Sequence, residues 1–173
     1  MAVVTPTGQL NEAALAAAVA ARLGGSSAAN GSAPPATPQK AVIWVDRGDE
    51  VLVHLDSVRV KIADRLLLMS VDLETDQTGR TPLVIAFAVG GDKDPAGLVA
   101  ATDDLPRGNG VLASRWGRIL QEALWASVLG IATDHAQLTR AGAIGLIATA
   151  GSLQIRTGTT PIHLPVNVIG VLK

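Results

Sequence analysis

Apolar and polar residues alternate over much of residues 41–89, and the alternation predicts strands. Ala41–Val45 is a near-continuous apolar run, followed by the turn residues Asp46-Arg47-Gly48-Asp49. Val51, Val53 and Leu55 then form one side of a strand whose other side carries Glu50, Leu52, His54 and Asp56. The apolar parity next switches to Val58, Val60 and Ile62 with no turn signal between, which predicts a β-bulge near Asp56–Ser57. Leu67, Met69, Val71 and Leu73 form the following inward set, Thr75–Arg80 turns the chain, and Leu83, Ile85, Phe87 and Val89 form a further strand. Pro82 is tolerated near the start of that strand. Four or five strands in succession, half of each polar, predict an antiparallel meander.

The period then changes. After a long connector over 90–110, Leu112, Trp116, Ile119, Leu120, Ala123, Leu124, Val128 and Ile131 cover one broad face of a helix spanning about 111–135. Arg115, Arg118 and Glu122 lie opposite. Near the start of the chain, Asn11 is an N-cap, Glu12 suits the positive helix end, and Leu10 and Leu15 occupy the positions of a hydrophobic staple. Leu15, Val19 and Leu23 follow at four-residue spacing, and Gly24 is a natural terminator. Residues 141–173 predict two or three more strands, at 144–149, 152–157 and 162–171. The fold class is therefore α+β: a mostly antiparallel meander packed by one long helix. Residues 1–23 are expected to hold the short helix, 24–39 a flexible Gly/Ser/Ala/Pro linker, and 40–173 a single α+β domain. The short helix either packs on its own domain or docks into a protein partner.

Composition removes several function classes. The 173 residues contain no cysteine, which excludes disulfides, iron–sulfur clusters and a thiol nucleophile. Fourteen Lys+Arg against fifteen Asp+Glu, with 2% aromatic residues, argue against nucleic acid, which needs a basic surface and stacking rings. Mean hydropathy is +0.35, yet the charge-free runs 141–155 and 157–172 are interrupted by glycines or by Pro161, Pro165, His163 and Asn167, so neither predicts a membrane span. A soluble, cytoplasmic protein is expected. Ten arginines against four lysines, with abundant alanine, fit a GC-rich bacterial genome rather than a function.

Candidate chemistry is sparse. Gly108-Asn109-Gly110-Val111-Leu112-Ala113 matches G-x-G-x-x-A at a helix start, which with Arg107 would suit an anion. No strand is predicted immediately before it, so an ordinary Asn-Gly turn is preferred. Asp92, Asp94, Asp103 and Asp104 lie in the long connector without the glutamate or glycine of an EF-hand loop and read as solvated turn residues. His54 and Asp56 share a strand face and are candidate catalytic residues for acid–base work, although a polar outer face is the preferred account of them. Asp72 and Glu74 also share a face, and His135 suits the negative end of the long helix. No metal site and no cofactor are expected.

Two features point towards association. Trp125 and Leu129 fall opposite the core face of the long helix, so either another layer of the domain or a partner must cover them. Thirteen of 35 residues are charged over 46–80, but only 2 of 33 over 141–173, which suggests a sheet covered on both sides, with a second subunit as one cover. The sequence therefore favours a non-catalytic structural or partner-binding protein, a homo-oligomer with Trp125 and Leu129 at its interface. On that expectation Trp125→Asp lowers the oligomer mass and leaves the circular dichroism intact. The alternative is a small-molecule binding protein or enzyme with a site under the 90–110 connector, drawing on His54, Asp56, Asp103, Asp104 and Arg107.

Overall fold

A computed structural model of the chain describes residues 8–25, 40–89, 107–138 and 142–158. The elements in chain order are β1 (Gln9–Asn11), α1 (Glu12–Gly25), β2 (Ala41–Asp46), β3 (Asp49–Ala63), β4 (Leu66–Thr75), β5 (Gly79–Ala88), β6 (Arg107–Gly108), α2 (Gly110–Leu138), β7 (Gly142–Thr149) and β8 (Ser152–Gly158). Five of them form an antiparallel sheet in the order β2-β3-β4-β5-β6, and three form a smaller antiparallel sheet in the order β1-β8-β7. The fold is α+β, built on a meander and one long helix.

The meander follows the alternation closely. Val51, Val53, Leu67, Met69, Val71, Leu73, Leu83, Ile85 and Phe87 are all buried on one face. The first turn is a two-residue loop with positive φ at Arg47 (51°) and Gly48 (84°), the twist that a tight hairpin needs. The β3–β4 register shifts between His54 and Arg59, where the parity switch places a bulge. Ser57 closes this gap: its hydroxyl donates to the His54 carbonyl at 2.5 Å and accepts from the Asp72 N–H at 2.7 Å. Ser57→Ala is accordingly expected to cost about 1–3 kcal/mol in a urea titration, because it leaves the half-buried Asp72 N–H without its acceptor. A change below measurement error would show that water replaces the hydroxyl.

The short helix docks on its own chain. Asn11 Oδ1 accepts from the Ala14 N–H at 2.8 Å, as its capping position predicts. Leu10, Leu15, Ala18, Val19 and Leu23 are buried in the same core as the meander. Glu12 accepts the Ile62 N–H at 2.9 Å, which holds the start of α1 against β3. At its other end Arg22 crosses α2, donating to the Gly130 carbonyl at 2.9 Å and pairing with Asp134; a Cβ on Gly130 would run into the guanidinium. Gly8, at φ 72°, has a similar role beneath β8, since a Cβ there would come within 2.7 Å of the Ile155 carbonyl. The described part of the linker, Gly24 and Gly25, ends α1, and residues 26–39 lie outside the described residues.

The long helix is enclosed more fully than its sequence predicts. It contacts β5 and β6 on one side and α1, β7 and β8 on others, and its buried positions spread over roughly 220° of the helical wheel. Trp125 falls inside that arc. It is 1% exposed and stacks on Phe87 of β5, with ring centroids 5.4 Å apart. Leu129 is half-buried against the same core. The outward placement expected of this pair is therefore corrected: another layer of the domain covers them, because α2 lies between two sheets and a helix rather than on one sheet. The described part of the charge-poor C-terminal segment packs against the core of the same chain. Leu146, Ile147 and Ala148 of β7 are buried in succession within the single chain. The strand expected at 162–171 lies outside the described residues. Among the described residues no helix is long and apolar enough to cross a membrane.

Candidate functional site

The outward face of β3, β4 and β5 gathers the polar residues that the alternation leaves there. Register places His54 opposite Asp72, and Leu52 opposite Glu74, which in turn faces Arg80. The resulting cluster is closed on itself. His54 Nε2 lies 2.6 Å from Glu74 Oε2, and the imidazole side chain is only 12% exposed. Arg80 donates through Nε to Asp72 at 2.8 Å and reaches Asp56 at 3.4 Å through Nη2. The hydrogen bond to Asp72 holds the Arg80 guanidinium above its ordinary pKa.

His54 and Asp56 thus share a face and a cluster, but each has a different partner: Glu74 for His54 and Arg80 for Asp56. A carboxylate on one ring nitrogen fixes the tautomer and orientation of an imidazole, as in a catalytic dyad. A nucleophile is what such a dyad would act on, and Ser57, beside it in sequence, is buried and has its hydroxyl engaged as both donor and acceptor in the bulge.

The anion candidates sit elsewhere. Arg107 and Gly108 form β6, with Arg107 opposite Val84 and Gly108 opposite Leu83. Three strand spacings separate β6 from β3, so roughly 14 Å of sheet lies between Arg107 and the His54 row. A Cβ on Gly108 would come within 2.6 Å of the Pro82 carbonyl, so glycine serves the close approach of two strands there. At the start of α2, Asn109 Oδ1 accepts from the Val111 N–H at 2.9 Å and the Leu112 N–H at 3.3 Å. These are donors that a bound anion would use, and the cap takes them instead. Gly110 opens the helix with nothing packed where a Cβ would be. Asp92, Asp94, Asp103 and Asp104 lie outside the described residues. Among the described residues no group of three or more His, Asp or Glu could hold a metal ion.

Sequence reasoning missed two arrangements. Arg115 donates to Asp49 and to Asp46 at 2.8 Å each and to the Asp46 carbonyl at 2.5 Å, and it lies over the Trp116 ring, so it braces the β2–β3 turn against α2. Nothing local in either segment announces this pairing. The second is on β2, where Ile43 is 59% and Val45 66% exposed, beside the half-buried Leu52. A signal existed for it. The two-residue turn at 47–48 pairs Val42 with Val53 and Trp44 with Val51, which leaves Ile43 and Val45 to face outwards.

No protein-family model, curated protein or solved structure matches the chain.

Proposed function

We propose that this chain is a non-catalytic structural or partner-binding protein that associates with further copies of itself. The observation that carries this reading is the exposure of Ile43 and Val45 together on a strand at the edge of the five-stranded sheet. Single exposed apolar residues are ordinary, but neighbouring ones on an open sheet edge are characteristic of interaction surfaces. The closed polar cluster supports it from the other side, since His54, Glu74, Asp72, Arg80 and Asp56 are engaged with one another. A partner for the N-terminal helix forms no part of the proposal, because the apolar stripe of α1 is already covered within the chain. A cytoplasmic location does, supported by a sequence whose lack of cysteine asks for no oxidising compartment.

The test is the solution mass of the full chain, by light scattering behind a sizing column. A mass that rises with concentration from 17.7 kDa towards a whole-number multiple of it is expected. A single species at 17.7 kDa across the concentration range would remove self-association from the reading.

A further inference from the structure

The hydrogen-bonding parity of β2 determines which of its backbone groups face the open edge. The Leu55 N–H donates to the Lys40 carbonyl at 2.8 Å, so Lys40 is a hydrogen-bonded partner in the β3 ladder, and so, two residues at a time, are Val42, Trp44 and Asp46. The intervening residues Ala41, Ile43 and Val45 therefore aim their N–H and C=O groups away from β3. Among the described residues no strand lies on that side. Native sheets usually guard such an edge with lysine, proline or a bulge; Lys40 stands at the end of this one, and 41–45 contains none of these.

We propose that β2 pairs antiparallel with β2 of a second copy about a two-fold axis at Ile43, joining two five-stranded sheets into one. The proposal rests on the self-association reading above and names its surface. Only this register engages all three outward-facing residues of both copies: Ile43 opposite Ile43 of the second copy, and Ala41 opposite Val45 in both directions. Each of these is a hydrogen-bonded pair, giving about six backbone hydrogen bonds across the axis. The side chains agree with the backbone. The exposed Ile43 and Val45 meet apolar residues, and Lys40 falls opposite Asp46 of the second copy, whose carboxylate also holds Arg115. An isologous contact of this kind closes on itself and gives a dimer rather than a fibre. A strand of six residues makes a small interface, so the dimer is expected at tens to hundreds of micromolar rather than at nanomolar concentration, on the order of a transient contact.

The experiment compares the full chain with Ile43→Pro and Ile43→Lys by light scattering over that concentration range, with circular dichroism as a check on folding. Proline removes the outward N–H at the axis without touching the β3 ladder, and lysine sets like charges directly opposite each other. A dimer for the parent chain is expected, with its dissociation constant raised by at least about tenfold in both variants. A second measurement uses the absence of native cysteine: Ile43→Cys is expected to cross-link on oxidation, because the paired Cα atoms would be roughly 5.5 Å apart, whereas Val84→Cys on the same sheet face is not. If Ile43→Pro fails to fold, Ile43→Lys and the cross-link decide. An oligomer that persists in the folded variants and does not cross-link through position 43 overturns the β2 surface and leaves self-association standing. A monomeric parent chain overturns both.

Discussion

Trp125→Ala is expected to destabilise the protein by about 3–5 kcal/mol, while Trp125→Phe should stay within about 1 kcal/mol of the parent. Alanine removes one of the two largest buried side chains and the ring that stacks on Phe87, leaving a cavity between α2 and β5. Phenylalanine loses some volume but keeps an aromatic stack. It also removes the Trp125 indole N–H, a buried donor with no hydrogen-bond partner among the described residues. The cost of that unsatisfied donor, about 1–3 kcal/mol, offsets much of the lost packing. Urea titrations followed by far-ultraviolet circular dichroism measure both. Trp125→Asp belongs to the same series and should not fold, since it would bury an unpaired carboxylate. This reverses the expectation from sequence that the aspartate variant keeps its circular dichroism and loses only oligomer mass. A folded Trp125→Asp would mean that the side chain faces outwards after all.

Removal of residues 1–39 is expected to unfold the remaining chain at 25 °C. The deletion takes away Leu10, Leu15, Val19 and Leu23 from the core, each contributing about 1.5–3 kcal/mol of burial. Together that is roughly 6–12 kcal/mol against the 5–15 kcal/mol that typically separates folded from unfolded domains. The deletion also bares the edge of β8 that β1 covers and frees the Ile62 N–H that Glu12 accepts. Circular dichroism and proton chemical-shift dispersion of the truncated chain check the expectation, and a peptide covering residues 8–25 should restore the native spectrum when added in excess. A truncated chain that melts cooperatively at the parent temperature would show that α1 sits on the core without completing it.

The candidate site was partly legible before the structure. The alternation placed His54 and Asp56 on one face and Asp72 and Glu74 on another strand's face, but not the diagonal that joins His54 to Glu74. Nor could it show Arg80 between Asp72 and Asp56. The pairs His54–Glu74 and Asp56–Arg80 depend on the β3–β4 register, which the bulge at 54–59 resets, whereas Arg80–Asp72 follows from the unbroken β4–β5 register. Sequence patterning identifies a bulge but does not say how many residues it displaces, so cross-strand neighbours beyond it cannot be assigned.

By itself the sequence determined the strands of the meander, the bulge at Asp56–Ser57, the Asn11 cap and the length of α2 to within a few residues. Each depends on backbone geometry over a short span: a period of two, a period of 3.6, a side-chain oxygen three residues from an N–H. The tertiary structure alone decided what each surface meets. A helical wheel gives the angle of Trp125 but not that Phe87, 38 positions earlier, stands against it. An apolar run at 41–45 gives a strand but not that, among the described residues, its strand neighbours lie on one side only. Burial is a property of contacts between segments far apart in the chain, and local periodicity carries no record of them.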